Sequence, residues 1–317
     1  MGLSRRDAIK KFAVGSAAAA AVGSTSLVTL SGVAHSEEPA PVAPKNAVGM
    51  LYDTTRCIGC QSCVVACAEA NNLLPEAQRV GGNGIHLTAS DLNSFTKNII
   101  KLYKPVDAKE YSFVKQQCMH CVDPTCVAGC MFKGLKKDPE TGVVTWNSAL
   151  CVGCRYCEIS CPFHIPKFQW QGFNPKIVKC ELCKERLAKG DQPACTSVCP
   201  THAVVFGKRE DLLIEAKTRI KNHPGKYHED RVYGETEGGG TQVLYLSHVA
   251  FENLGLPKLE SESVPRKYLK WQKRVYSYLA VPAVLYASMV GIINGNWKKH
   301  QEHMQEDEEN TGLRAQL

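Results

Sequence analysis

Sixteen cysteines lie between Cys57 and Cys199 of this 317-residue chain, and none lies outside that stretch. Sorted by spacing they form four groups of four: Cys57, Cys60, Cys63 and Cys67; Cys118, Cys121, Cys126 and Cys130; Cys151, Cys154, Cys157 and Cys161; and Cys180, Cys183, Cys195 and Cys199. The first and third groups read C-x-x-C-x-x-C-x-x-x-C, a run in which three close thiolates wrap one iron–sulfur cubane and the fourth reaches a different one. Pro162 and Pro200 follow the last cysteines of the third and fourth groups and complete the C-P ending of that run. The second and fourth groups widen one gap, to four residues between Cys121 and Cys126 and eleven between Cys183 and Cys195, and keep the C-x-x-x-C end. Four [4Fe–4S] clusters, and hence one-electron chemistry, account for all sixteen thiols.

Other uses of cysteine fit less well. Disulfides suit an exported protein. However, three thiols on one tight turn are poorly placed to bridge distant segments, and a chain this long needs no staples. Structural zinc takes C-x-x-C in pairs, whereas two of these groups are runs of four. A radical enzyme's single three-cysteine site would leave thirteen cysteines unexplained. No other residue pattern suggests a substrate-activating acid, base or nucleophile.

The elements that position the thiols can be sketched from the surrounding sequence. Gly59 and Gly153 stand just before the second cysteine of their runs, where a residue without Cβ lets backbone N–H groups close on sulfur. The runs C-I-G-C-Q-S-C and C-V-G-C-R-Y-C read as copies of one unit, so the predicted fold is α+β, with two duplicated bacterial-ferredoxin-like modules. Met50-Leu51-Tyr52 reads as a strand leading into the first run, and Ala203-Val204-Val205-Phe206 as a closing strand. Lys137 to Gly142 is turn chemistry, and with Val143-Val144-Thr145-Trp146 it predicts a hairpin. Leu212, Leu213, Ala216 and Ile220 recur at helical spacing, predicting a helix from Arg209 to Lys221 whose charges form a solvated face. Gly81 to Gly84 marks a loop, and no chemistry is assigned between Asn71 and Lys115.

The ends of the chain suggest a compartment. Ser4-Arg5-Arg6-Asp7 precedes an Ala-rich apolar stretch from Phe12 to Val33, the arrangement of a twin-arginine export signal over residues 1–34, cleaved after Ala34. An N-terminal membrane helix is the competing reading. That export route carries folded proteins, so clusters would be inserted before thiols meet an oxidising compartment. A Pro-rich linker follows over 35–47, then the four-cluster core over 48–208 and a C-terminal extension packing on it over 209–265. Val275 to Ile293 is 19 residues without a charge, predicting one transmembrane anchor over 266–298 and an acidic polar tail over 299–317; a buried amphipathic helix is the alternative. Five basic residues from Arg266 to Arg274 would keep the core in the cytoplasm by the positive-inside rule. That rule governs short loops, however, and a folded domain delivered by the twin-arginine route is expected on the periplasmic side of the inner membrane.

The formal charge of +7 counts cysteine as neutral. Each cubane with its thiolates carries roughly −2, so a holoprotein near neutrality is expected, and no basic stripe with interleaved aromatics points to nucleic acid. The Glu237-Gly238-Gly239-Gly240-Thr241 run lacks the G-K-[ST] ending of a phosphate loop.

From about Val48 to Leu259 the chain resembles the four-cluster ferredoxin-type electron-transfer subunits of membrane-bound periplasmic oxidoreductases, closest to the hydrogenase 2 iron–sulfur (A) subunit family. The likeness rests on Q-C-M-H-C-V-D-P-T-C, L-K-K-D-P-E-T-G-V-V, C-V-G-C-R-Y-C, K-C-E-L-C, Y-G-E-T-E-G-G-G-T-Q-V-L and E-N-L-G-L-P-K-L. The resemblance implies a ligand set for each cluster. Cluster one takes Cys57, Cys60, Cys63 and Cys199, and cluster two takes Cys67, Cys180, Cys183 and Cys195. Cluster three takes Cys118, Cys121, Cys126 and Cys161, and cluster four takes Cys130, Cys151, Cys154 and Cys157. It further implies a non-catalytic subunit that relays electrons between a catalytic subunit and an integral-membrane quinone-reactive subunit, with Val275–Ile293 in the bilayer. The expected catalytic partner is an uptake [NiFe] hydrogenase with its large and small subunits; a formate dehydrogenase or other molybdopterin oxidoreductase is the alternative. A redox-silent structural or assembly protein is the alternative of another class. In the family the glycine run is a structural turn, and His120 is expected to hydrogen bond near a cluster sulfur rather than to ligate iron. Met131 follows Cys130 where the family has proline, which is expected to change the local turn, and Ala8 stands in the export signal where Phe is usual.

Overall fold

The computed structural model describes residues 41–73, 91–105, 110–169 and 176–314. The expected export signal and the Gly81–Gly84 loop lie outside the described residues. The chain divides into a body, Ala40–Lys267, and a second unit that includes Tyr268–Leu317.

Helices and strands are mixed in the body, and short elements punctuate the cysteine groups. Strand β1 (Val48–Asp53) enters the first group, whose last two cysteines sit on helix α1 (Ser62–Ala70). Strands β2 (Asn98–Tyr103) and β3 (Ser112–Gln117) form an antiparallel hairpin that delivers the chain to Cys118. The second group carries α2 (Thr125–Ala128), which holds Cys126, and is followed by the hairpin of β4 (Leu135–Lys137) and β5 (Val144–Trp146) and then the third group with α3 (Tyr156–Ile159). The hairpin stands where the turn chemistry predicts it. Strands β6 (Lys167–Phe168) and β7 (Ile177–Val178) pair before the fourth group, which carries α4 (Lys184–Leu187) and α5 (Ala194–Ser197).

Sheet pairing closes the two ends of the cysteine region on each other. β8 (Val204–Lys208) runs antiparallel to β1, so the segment leaving Cys199 lies beside the segment entering Cys57. On the other side of β1 lies β9 (Val243–Leu246), parallel to it and drawn from the C-terminal extension. All four residues of β9 are buried. Tyr245 packs edge-on to Tyr52 with ring centroids 5.4 Å apart, and the two hydroxyls donate to the carbonyls of Lys115 (2.6 Å) and Phe113 (2.8 Å). These bonds fasten β3 to the central sheet.

Helix α6 (Arg209–Asn222) buries Leu212 and Ala216 against Leu51, Leu244 and Leu246. Its charges are not all a solvated face. Arg219 is buried and meets the fully buried Asp53, Nη1 to Oδ2 at 3.0 Å, where Tyr227 also donates at 3.1 Å. Arg209 donates to the carbonyls of Thr241 (2.7 Å), Gly234 (3.3 Å) and Glu235 (3.2 Å). Arg219 thus meets the end of the central strand β1, and Arg209 the loop carbonyls that lead into β9.

Helix α7 runs from Val264 to Arg314, with Pro282 inside it. Among the described residues no helix is long and apolar enough to cross a membrane, and the expected span over Val275–Ile293 is not supported on that measure. Within this stretch Val284, Leu285, Tyr286, Met289, Ile292 and Ile293 are all exposed.

Candidate metal centre

The cysteine loops share one backbone device. The residue two positions after the first cysteine of each group is left-handed: Gly59 (φ 70°), His120 (φ 47°), Gly153 (φ 72°) and Leu182 (φ 51°). Such alternation turns successive N–H groups inward into an anion-binding concavity. The N–H of Gly59 donates to the Cys57 thiol and that of His120 to Cys118, while the Leu182 N–H lies 3.4 Å from the Cys180 Sγ. Gly59 has a second reason to be glycine, since a Cβ there would stand 2.4 Å from the Phe113 ring. Helices α1, α3 and α4 begin directly after left-handed Gln61, Arg155 and Cys183, with no side-chain cap claiming their first N–H groups.

A second device recurs after the last cysteine. Lys133 (φ 55°), His164 (φ 52°) and His202 (φ 51°) each stand three residues beyond Cys130, Cys161 and Cys199, and each N–H bonds back to that cysteine's carbonyl, at 3.1, 3.0 and 3.3 Å. Met131 therefore leaves the turn as it is beside Pro162 and Pro200, contrary to the expectation from sequence. The turn is fixed by its hydrogen bond and left-handed third residue, so proline's fixed φ is not required.

The thiols gather across groups. Cys57, Cys60, Cys63 and Cys199 line one cavity of about 320 Å³, counting the part open to solvent, together with Tyr52, Ile58 and Gln61. Cys130, Cys151, Cys154 and Cys157 line another of about 330 Å³, with Phe132, Leu150, Val152 and Tyr156. Cys67 interacts with Cys180, Cys195 and Cys183, and Cys121 with Cys126, Cys118 and Cys161. These four gatherings are here numbered sets one (Cys57), four (Cys130), two (Cys67) and three (Cys121). Adjacent sets touch electrostatically in sequence: Cys63 with Cys195, Cys118 with Cys180, and Cys126 with Cys157. Among the described residues no three Cys, His, Asp or Glu side chains converge as they would on a single metal ion. All sixteen cysteines are free thiols.

Burial, with help from neighbouring thiols, pushes Cys63 and Cys157 up to about 12 and Cys118 and Cys195 up to about 11, and raises Cys67, Cys121 and Cys126 as well. Thiols so placed become thiolates only when a metal takes the proton's place. His120 is fully buried; its Nδ1 accepts from the Val144 N–H at 3.0 Å, which leaves the proton on Nε2, and Nε2 has no partner in the protein. An orphaned buried donor one residue from Cys121 is the complement of a sulfide-bearing cluster. The residues present fit iron–sulfur cubanes.

Two residues that sequence reasoning passed over stand among the thiols. Lys115 and Lys179 are 1% and 2% exposed. Burial opposes the Lys115 ammonium, but Cys195, Cys63 and Cys180 outweigh it once they are thiolates and hold its pKa above the ordinary value. The only signal in the sequence is adjacency: Lys179 directly precedes Cys180 and Lys115 comes three residues before Cys118. The glycine run of residues 238–240 is structural, since buried Glu237 accepts from the Gly234 N–H (2.7 Å) and the Gly240 carbonyl accepts from Val122 (2.9 Å).

Residues 109–209 match the family described as 4Fe-4S dicluster domain. The hydrogenase-2 operon protein HybA of Escherichia coli O157:H7 is 37% identical to this chain, over 97% of this chain and 100% of that protein. The formate dehydrogenase-O iron-sulfur subunit of Escherichia coli K12 is 33% identical over 86% of this chain and 93% of its own length. The formate dehydrogenase iron-sulfur subunit of Haemophilus influenzae is 35% identical over 69% and 72%.

Proposed function

The chain belongs to the family of 4Fe-4S electron-transfer subunits that includes the hydrogenase-2 protein HybA and the formate dehydrogenase iron–sulfur subunits, and from that premise we propose that it carries electrons through four [4Fe–4S] clusters between a periplasmic uptake [NiFe] hydrogenase and a quinone-reactive membrane subunit. When bound, the clusters supply one-electron redox centres. In this reading the ligands are the four sets of thiols, one set per cluster.

The observation that carries the proposal is that consecutive sets are joined by the fold: Cys63 and Cys67 of sets one and two share helix α1, Cys118 and Cys180 of sets three and two lie in one buried cluster, and Cys126 and Cys130 of sets three and four stand four residues apart. Redox centres held on joined elements in this way need no moving part between them. The terminal sets support docking at the two ends. Ile58 is 60% exposed beside set one, and beside set four Phe132, Val152 and Tyr156 are exposed along with Cys154. Uncovered apolar side chains at a redox centre suit a partner that excludes water. The hydrogenase is preferred as partner because the likeness to HybA extends over nearly the whole of both chains.

The proposal includes export of residues 48–265 to the periplasm and anchoring by α7 through Val275–Ile293. The exposed apolar side chains of α7 support the anchor, since bilayer would cover what water does not favour. Protease treatment of spheroplasts is expected to digest the cluster body; a protected body would overturn this topology.

Purification of the intact complex with a metal count tests the partner. Nickel in stoichiometric amount is expected, whereas molybdenum or tungsten would assign the subunit to a formate dehydrogenase or related enzyme. Low-temperature EPR of the dithionite-reduced complex is expected to show reducible cubanes, and their absence would leave a redox-silent protein.

A further inference from the structure

We propose that Lys115 and Lys179 are buried counter-cations that set the reduction potentials of the clusters along the interior of the path, Lys115 acting on those of sets one and two and Lys179 on that of set three. This rests on the four-cluster reading above.

A buried ammonium is costly unless an anion answers it. The side-chain partner of Lys115 Nζ is the neutral amide oxygen of Gln117, and Lys179 Nζ donates to the carbonyls of Val144 (2.5 Å) and Cys180 (3.0 Å). Among the described residues neither forms an ion pair with a carboxylate. Glu181 senses Lys179, but its oxygens are engaged by Lys97 at 3.3 Å, Lys184 at 3.1 Å and the Trp146 N–H at 3.0 Å. The groups that do surround the two ammoniums are thiols. Cys63, Cys67 and Cys195 each interact with Lys115, and Cys118, Cys126 and Cys161 each interact with Lys179. The anions that repay these burials are therefore the ligated clusters.

The distribution is uneven. The Cys157 thiol of set four interacts chiefly with Cys151, Cys130 and Cys154, and the cation that lines the cavity of set four is Arg155, neither lysine standing in that lining. Net charge and its surroundings are among the determinants of cluster potential. A fixed cation stabilises the more negative, reduced form, so it raises the potential of the cluster it faces.

The test is an EPR-monitored redox titration of the intact complex carrying Lys115→Met or Lys179→Met, with Lys115→Arg and Lys179→Arg as charge-keeping variants and exposed Lys189→Met as the control. Each Met variant is expected to shift the reduction equilibrium of its facing cluster about tenfold toward the oxidised form, a fall of about 59 mV for one electron. The Arg variants and Lys189→Met should titrate as the wild type. Unchanged potentials in Met variants that keep full iron would overturn the assignment. Iron loss in the Met variants with retention in the Arg variants would support a charge role, and iron loss in both would assign the lysines to packing and overturn it. Failure of the underlying reading is separately visible, as a wild-type complex with no reducible cubane signal.

Discussion

Sets two and three differ from sets one and four in how far the protein encloses them. Five of the eight thiols in the middle sets are buried and none is exposed, whereas two of the eight in the terminal sets are buried and Cys154 is exposed. The middle also holds the two buried lysines, while the ends present Ile58 on one side and Phe132, Val152 and Tyr156 on the other. One backbone turn, repeated four times, thus serves two purposes. In the middle it sits inside a charge-compensated interior, and at the ends it sits under an apolar rim where another protein can dock.

The largest effect should come from breaking this difference at a ligand. Cys118→Ser is expected to lower stability by about 4 kcal/mol or more, as loss of a core metal site does, and to remove about a quarter of the iron. Cys154→Ser should lose a similar share of iron with a smaller drop in thermal unfolding temperature, because its surroundings already face solvent. Equal drops measured by calorimetry would contradict the contrast between middle and ends.

Set one, though half open, is held from behind by the sheet. Asp53 accepts from Arg219 and Tyr227, and its carbonyl accepts from Arg56 just before Cys57, at 3.2 Å. Arg219→Met should cost about 1.5–3 kcal/mol in denaturant unfolding, because the buried Asp53 carboxylate loses its nearest cation and keeps Arg56 at 3.6 Å and the Tyr227 and Thr55 donors, and iron should be lost from set one before sets two and three. Gly59→Ala comes next. It forces a side chain into a left-handed position, at about 1–3 kcal/mol, and must also displace the Phe113 ring. Its signature should be selective loss of one cluster's EPR signal. At the exposed end, Met131→Pro should alter stability by less than about 0.5 kcal/mol and leave iron content unchanged, since the turn after Cys130 already matches its proline-bearing counterparts.

Much of the middle and the ends could be read from spacing. Cysteine positions, β1, β8, the β4–β5 hairpin and α6 all follow from local periodicity and turn chemistry, and the structure has them. What escaped the sequence is what depends on distant partners. β9 joins β1 across nearly the whole body, and a four-residue apolar run gives no hint of a parallel neighbour so far away. The β2–β3 hairpin lies in a stretch without cysteines, where no chemistry drew attention. Ser-Phe-Val-Lys-Gln-Gln shows no clean alternation, because Val114 and Lys115 are both buried. Charged residues are almost never buried alone, so Lys115, Lys179 and Arg219 read as surface until the thiols and Asp53 are brought beside them. Met131 is the converse case: its residue type points to a changed turn, while the hydrogen bond from the Lys133 N–H to the Cys130 carbonyl keeps the turn.

The central claim is a continuous path of four cubanes within one chain. Iron and acid-labile sulfide analysis of the purified complex, joined to EPR-monitored redox titration of the same sample, tests it most directly. The account predicts four magnetically interacting [4Fe–4S] centres attributable to this subunit, with the signal of set three lost in Cys118→Ser and that of set four lost in Cys154→Ser. A subunit that binds fewer clusters, or whose clusters stay silent under dithionite, would contradict it.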